Sequence, residues 1–425
     1  MVEKLIDLAL KNRLIVLLLA AGLFGWGIYS LRKNPIDAIP DLSENQVIVF
    51  TEWMGRSPQV IEDQVTYPLV SNLQGIPKVK NIRGTSMFGM SFVYIIFEDN
   101  ADIYWARTRV LERLNYAQRL LPQGVTPTLG PDGTGVGHIF WYHLEAPNMD
   151  LGEQRSLQDW YIKFALQNVP GVAEVASFGG FQKQYQIVIE PHKLTYYGLT
   201  LMDVLKAVKV NNNDVGGRKF EMTDMAYIIR GLGYIKGIED IENMPVSMKN
   251  SIAIKIKDLG KVQMGGDLRL GIFDMNGTGE VVGGIVVMRY GENADKVIKA
   301  VKAKIKEVEK GLPDGVKFKI SYDRSSLIEE AVESVKGTLI EEIITVSVVI
   351  LLFLFHWRSA LIIIIQLPIS VAIGFILLEA FGISSNIMSL TGIALAIGVV
   401  VDDGIVMVEN AYRHIAEEQE KKEPV

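Results

Sequence analysis

Residues 14–31 run for eighteen positions without a charged side chain. A helix needs roughly 20 mostly apolar residues to cross the hydrocarbon core of a bilayer. Trp26 and Tyr29, near the end of the run, suit an interfacial aromatic belt better than the small-residue cleavage site of a signal peptide. Three more apolar runs follow near the other end. The first, 343–355, reaches back into an amphipathic stretch from Val335; the second, 360–381, is interrupted only by Gln366, Pro368 and Glu379; the third is 387–408. Loops of four or five residues join them, which predicts membrane helices stacked as hairpins rather than three buried core helices. Pro368 is compatible with that, because neighbouring helices can satisfy the freed backbone groups.

The basic residues orient the four expected spans. Lys4, Lys11, Arg13, Arg358, Arg413, Lys421 and Lys422 flank one side, and Arg32, Lys33 and Lys336 the other. Seven against three places the N-terminus in the cytoplasm. Four spans return the C-terminus there, and residues 34–334 then lie outside.

The last run contains "GVVVDDGIVMVEN" at 398–410. Glu409 follows Asp402 by seven residues, two helical turns, so the two share nearly one face. Carboxylates are expensive in hydrocarbon and usually mark an ion path. Low dielectric favours the neutral form of a carboxyl, so Asp402, Asp403 and Glu409 are candidate members of a proton relay. Between Gly337 and Tyr412 the only Lys or Arg is Arg358, in a loop, so these helices offer the acids no counter-charge. Glu341, Glu342 and Glu379 lie near span ends and suit interfacial anchoring.

The chain has no cysteine and only five histidines but fifteen methionines. Disulfides and thiolate metal sites are excluded, and any metal must be handled mainly by thioethers and carboxylates. A net charge of −6 without a Lys/Arg cluster argues against nucleic acid as a partner. No nucleophile triad, phosphate loop or closed metal site is visible, so an enzyme is not expected, and neither is a cofactor. Asp132 and His138 flank a "GTGVG" turn, a weak metal signal.

The middle of the chain repeats itself. "NAD" opens a helical pattern at 100–102 and again at 293–295, each helix ending in Leu-Pro-x-Gly-Val and each preceded by a strand-like run. "GIPKV" (75–79) and "NVPGV" (168–172) close a helix and start a strand in each copy. Pro77 lies 23 residues before its NAD and Pro170 lies 123 before the other, so the second copy carries about 100 inserted residues. Without them each copy reads βαββαβ, a ferredoxin-like unit.

One helix, two related α+β units and three more helices resemble the N-terminal half of resistance-nodulation-division (RND) efflux pumps. "NPIDAIPDLSENQVIV" (34–49), "QVTYPL" (64–69), "YWARTRVLERLN" (104–115), "GPDGTGVG" (130–137), "RSLQDWYIKF" (155–164) and "YDRSSLIEEAV" (322–332) are similar to the heavy-metal branch. "YWAR" and "PDGTGVG" lean toward its copper/silver members. The resemblance implies an α-helical membrane protein with an α+β periplasmic region. Its duplicated ferredoxin-like subdomains form a pore, and the second carries an inserted α+β docking subdomain. The expected division is 1–33, N-terminal segment and first span; 34–134, first pore subdomain; 135–177 and 271–334, the two parts of the second; 178–270, the docking subdomain; 335–412, spans two to four; and 413–425, a charged cytoplasmic tail whose end, "EEQEKKEPV" (417–425), is expected to lack regular structure.

The resemblance further implies proton-driven export of Cu(I) or Ag(I) through the bacterial inner membrane. It implies a trimer once a second half is supplied, joined to a periplasmic adaptor and an outer-membrane channel. Asp402 matches the acid shared by the heavy-metal and multidrug branches. Asp403 completes a pair typical of the multidrug branch, which keeps multidrug export open as an alternative. Met388 and Met407 match positions of a methionine relay, whereas Val400 and Leu268 stand where the family offers methionines, with Met264 close to the latter. Met202, Met222, Met225, Met244 and Met248 read as packing residues. A protein-export accessory and a non-transporting truncated half are the other readings.

Overall fold

The computed structural model describes residues 9, 11–222, 225–249, 251–269, 271–354 and 357–420. The first helix described in full is α1 (Arg13–Lys33), apolar nearly all round.

The first α+β unit follows. It consists of β1 (Gln46–Glu52), a helix α2 spanning 58–73, β2 (Val79–Met87), β3 (Met90–Phe97), α3 (Ile103–Ala117) and β4 (Pro127–Leu129). Its sheet order is β2-β3-β1-β4. Alternation decides which face is buried: Val47, Val49 and Thr51 point inward on β1, and Ser91, Val93 and Ile95 on β3. Helices α2 and α3 cover that face with Ile61, Leu69, Val110 and Leu114. Asp102 starts α3 by accepting the Trp105 backbone N–H at 2.7 Å.

The second unit begins with β5 (Gly133–Glu145), a helix α4 spanning 151–167 and β6 (Val172–Phe178). The inserted segment then supplies β7 (Lys183–Ile189), α5 (Pro191–Tyr197), α6 (Leu201–Asn211), β8 (Val215–Met222), β9 (Met225–Gly231), α7 (Ile238–Glu242), β10 (Pro245–Lys249), β11 (Ile252–Lys255), α8 (Ile256–Leu259) and β12 (Gly260–Gly266). Strand β12 pairs back onto β7, and the segment has its own small cores around Ile241, Ile256 and Val204. The second unit resumes with β13 (Gly283–Arg289), α9 (Ala294–Val308) and β14 (Lys317–Asp323). Its sheet order is β14-β5-β13-β6. Position for position this is the order of the first sheet, and Asn293 caps α9 as Asp102 caps α3.

Both α2 and α4 are interrupted by a π-helical turn, Glu62–Thr66 in one and Gln158–Ile162 in the other. Each turn delivers a polar side chain to the buried sheet face. Thr66 Oγ1 lies 2.8 Å from the hydroxyls of both Ser86 and Ser91. Gln158, fully buried, accepts from the Tyr142 hydroxyl at 3.0 Å and donates to Ser177 at 3.3 Å.

Three long helices close the chain: α10 (Arg324–Leu354), α11 (Trp357–Ala380) and α12 (Ile387–Glu420). Helix α10 crosses the expected boundary at 334 without a break and runs continuously for 31 residues, about 46 Å. The polar stretch "RSSLIEEAVESVKG" is built mainly of residues compatible with a helix, so nothing stops it short of the apolar part. The tail also departs from expectation: α12 continues to Glu420, through the strong helix formers Ala416, Glu417, Glu418 and Gln419. The last five residues of that tail, with Lys421 and Lys422, and residues 1–8, with Lys4, lie outside the described residues. Among the described residues two helical stretches are long and apolar enough to cross a membrane, Arg13–Lys33 and Ile387–Ala411, and Ile364–Ala380 is a shorter apolar one.

Helix α1 packs tightly on α11. A Cβ added to Gly27 would collide with both the backbone and the side chain of Ala372, so this close approach requires glycine. Gly27→Leu is therefore expected to lower the melting temperature of the detergent-solubilised chain, at a cost of about 1–3 kcal/mol. Gly22→Leu, with nothing within 4 Å of its Cβ, should leave the melting temperature unchanged.

His143 on β5 is buried and hydrogen-bonded to Ser321 Oγ at 2.8 Å. Burial holds its pKa below the ordinary imidazole value. The unfolded chain therefore takes up the proton first as pH falls. Stability from this group is complete above about pH 6.5 and declines below it, toward the lowered folded value. Acid titration of thermal stability should show this decline in the parent and a flatter profile in His143→Gln.

Candidate functional site

Helix α12 carries every relay candidate, and its packing assigns them a face. Leu390, Ile393, Ile397, Val401, Ile405 and Val408 turn inward, against Val346 of α10 and Ile364, Leu367 and Val371 of α11. Met388, Leu395, Val399, Asp402, Val406 and Glu409 form a stripe down the opposite, exposed face, with Asp403 beside it. Among the described residues no hydrogen bond or ion pair reaches Asp402, Asp403 or Glu409. The acids are thus presented by this helix rather than enclosed between it and its two neighbours.

Met388 and Met407 are both exposed, at 65% and 66%. Nineteen residues separate them, about 28 Å along the helix, so they do not share one ion. Met407 lies one turn beyond Asp403, and Met388 lies on the Asp402 stripe near the start of the helix. Of the five methionines expected to pack, Met244 is buried, whereas Met202, Met222, Met225 and Met248 are exposed. Strand β9, which begins at Met225, is exposed along its whole length, so the β8–β9 hairpin offers Met222 and Met225 no core to enter.

Among the described residues no group of three His, Asp or Glu side chains is placed to hold a metal. Asp132 is engaged by Arg289 at 3.4 Å and by the Tyr104 hydroxyl at 3.3 Å. It lines, with Glu44, Arg107, His138 and Glu174, a cleft of about 360 Å³ between the two α+β units.

Two of the span-end acids behave differently from each other. Glu379 accepts from Lys33 Nζ at 2.7 Å, joining the ends of α11 and α1. Glu342, in α10, has a carboxylate oxygen that is buried without a hydrogen-bond partner. Its sequence position near a span end gives no sign of that burial.

The helices meet the α+β region at a polar knot around Arg324, beside the packing of Ile328 into the core of the second unit. Beyond α1, the Asn34 side chain donates to the Ile383 carbonyl and to Ser385 Oγ. Backbone bonds run between Asp37 and Ser385 and between Ser385 and Pro35, in a short parallel bridge. Asp37 then meets Arg324, the first residue of α10, at 3.3 Å. The same guanidinium donates to the His138 carbonyl of β5 at 3.1 Å, while its Nε is buried without a partner. Only 5% of the Arg324 side chain and 14% of the Asp37 side chain reach solvent. The motif "YDRSS" is visible in sequence; its partner Asp37, 287 residues earlier, is not.

The profile of the AcrB/AcrD/AcrF family matches residues 5–425. The cation efflux system protein CusA of Escherichia coli (strain K12) is 46% identical over 99% of this chain and 40% of its own length. The putative cation efflux system protein SilA of Salmonella typhimurium is 46% identical over 98% of this chain and 40% of its own. A crystal structure of a heavy metal efflux pump superposes with a TM-score of 0.85 at 34% identity, covering 96% of this chain and 41% of that one. The chain thus spans about 40% of the length of the curated relatives it matches.

Arg324→Met strands the buried Asp37 carboxylate and should cost about 3–5 kcal/mol in chemical denaturation of the solubilised chain. Adding Asp37→Leu should recover most of that loss, since no buried charge is then left alone. A double variant as unstable as the single one would show that the pair does not hold this joint.

Proposed function

The chain belongs to the AcrB/AcrD/AcrF family, and from that membership we propose that it forms part of a proton-driven pump exporting heavy-metal cations, Cu(I) or Ag(I). The observation that carries the reading is the acid stripe on α12. Asp402 lies near the middle of an apolar stretch long enough to cross a bilayer, on a face its own chain leaves open. An acid there has little structural use unless it titrates or pairs. Asp402 is the proposed proton carrier. Asp403 and Glu409 extend the path, and the counter-charge comes from helices beyond this chain, supplied by a further half or a second chain.

Helices α1, α10, α11 and α12 are read as four spans of a bacterial inner membrane, with 34–334 in the periplasm. The common strand order and paired π turns support reading the two units as copies of one βαββαβ fold, bounded at 34–134 and 135–322, with 178–270 as a docking insert. Pore formation as a homotrimer, with a periplasmic adaptor and an outer-membrane channel, belongs to the same reading. Cu(I) and Ag(I) suit thioether donors, and Met388 and Met407 are assigned as successive stepping points along the path rather than one site. Metal ions and protons are cargo here; no enzyme activity or cofactor is proposed. The Asp402–Asp403 pair favours one alternative, a multidrug-type substrate.

In a silver-sensitive host expressing a full-length pump built on this chain, Asp402→Asn should abolish silver tolerance while leaving the protein folded and inserted. Asp403→Asn should reduce tolerance less. Normal tolerance with Asp402→Asn would remove the relay assignment, and tolerance toward organic drugs in place of silver would favour the alternative.

A further inference from the structure

The β2–β3 hairpin tip gathers three methionines that the export reading does not use. Met87 and Met90 face each other directly across the turn Phe88–Gly89. Directly opposed residues on neighbouring strands hold their Cβ atoms about 4.5–5.5 Å apart, pointing to one face. Met54 comes in from the end of β1. Its Sδ lies 3.0 Å from where a Cβ of Gly89 would sit, and Gly89 itself takes φ +70°. The approach is fixed by the backbone: Trp53 N–H donates to the Gly89 carbonyl at 2.8 Å, and Gly89 N–H to the Arg56 carbonyl at 3.0 Å. The Met54 thioether thus reaches the turn that joins the opposed pair Met87 and Met90.

Packing does not account for them. Met54 and Met87 are 49% and 47% exposed, and none of the three belongs to the core of this unit. Glu52, exposed, is paired with Met90 across β1 and β3, which places an acidic residue next to Met90 in the sheet. Arg56 is occupied over the Trp53 ring, 4.7 Å from its centroid. Neutral sulfur ligands select soft monovalent ions over Zn(II), and a neighbouring carboxylate offsets the charge of such an ion.

We propose that Met54, Met87 and Met90 form a surface site for a soft monovalent cation, Cu(I) or Ag(I), on the first α+β unit. The site stands on this chain's own residues and does not depend on export.

The test uses the 425-residue chain in detergent, labelled with ¹³C at the methionine methyl groups and titrated with silver nitrate in chloride-free buffer. The methyl signals of Met54, Met87 and Met90 should move together with Ag(I), and should stay still with Zn(II). In the variant carrying Met87→Leu and Met90→Leu, volume is nearly kept and the Ag(I)-dependent shift of Met54 should be lost. The buried Met244 reports on folding in the inserted segment, and Met54→Leu, giving loss of the joint shift at Met87 and Met90, is an independent arm. Signals that do not move with Ag(I), that move equally with Zn(II), or a Met54 shift that persists in the double variant would overturn the site.

Discussion

One buried guanidinium sits at the joint between the long helices and the second α+β unit. Arg324 begins α10, holds the segment that leaves α1 through Asp37, and holds β5 through the His138 carbonyl. A charge in that position tolerates no loose arrangement, because an unpaired buried ion costs several kcal/mol. The continuity of α10 gives the knot its reach. A helix of 31 residues with no break passes from the edge of the second α+β unit into the apolar bundle as one rigid element. The bridge between residues 35–37 and Ser385 ties the α11–α12 turn into the same joint. The helix that bears the acids is thus two short links from the sheet that lines the cleft.

What can be read in the sequence follows the range of the forces involved. The apolar runs and the alternating strands are local patterns, so α1, α11, α12 and both four-stranded sheets are legible. So are the caps at Asp102 and Asn293, where one side chain serves a backbone N–H three residues on. The start of α10 at Arg324 is not marked in the sequence, because composition changes before the second apolar run while helix propensity does not. The π turns in α2 and α4 have no compositional mark. They exist because Thr66 and Gln158 find buried partners on the sheet, Ser86 and Ser91 in one case and Tyr142 and Ser177 in the other. The Asp37–Arg324 pair is invisible for the same reason, as its members meet only once the whole second unit has folded between them. The methionines of the β2–β3 tip carry a weak signal, the two that flank Phe88–Gly89 in "MFGM". Met54 joins them only through tertiary backbone bonds.

The face of α12 is the point at which sequence and structure must be read together. The sequence places three acids in a stretch otherwise suited to lipid, which leaves open whether they point inward to a buried network or outward. Packing decides it: the branched residues Ile393, Ile397, Val401 and Ile405 occupy the inner seam against α10 and α11, and a helix has only one such seam. Asp402 and Glu409 are therefore on the far side by the geometry of 3.6 residues per turn, whatever their own preferences. An outward carboxylate facing hydrocarbon would have no solvating partner, so that face requires either a neutral, protonated acid or a polar surface laid against it. A relay needs both states in alternation. The arrangement suits a helix whose inner seam stays fixed while its outer face meets a partner that can give and withdraw a positive charge.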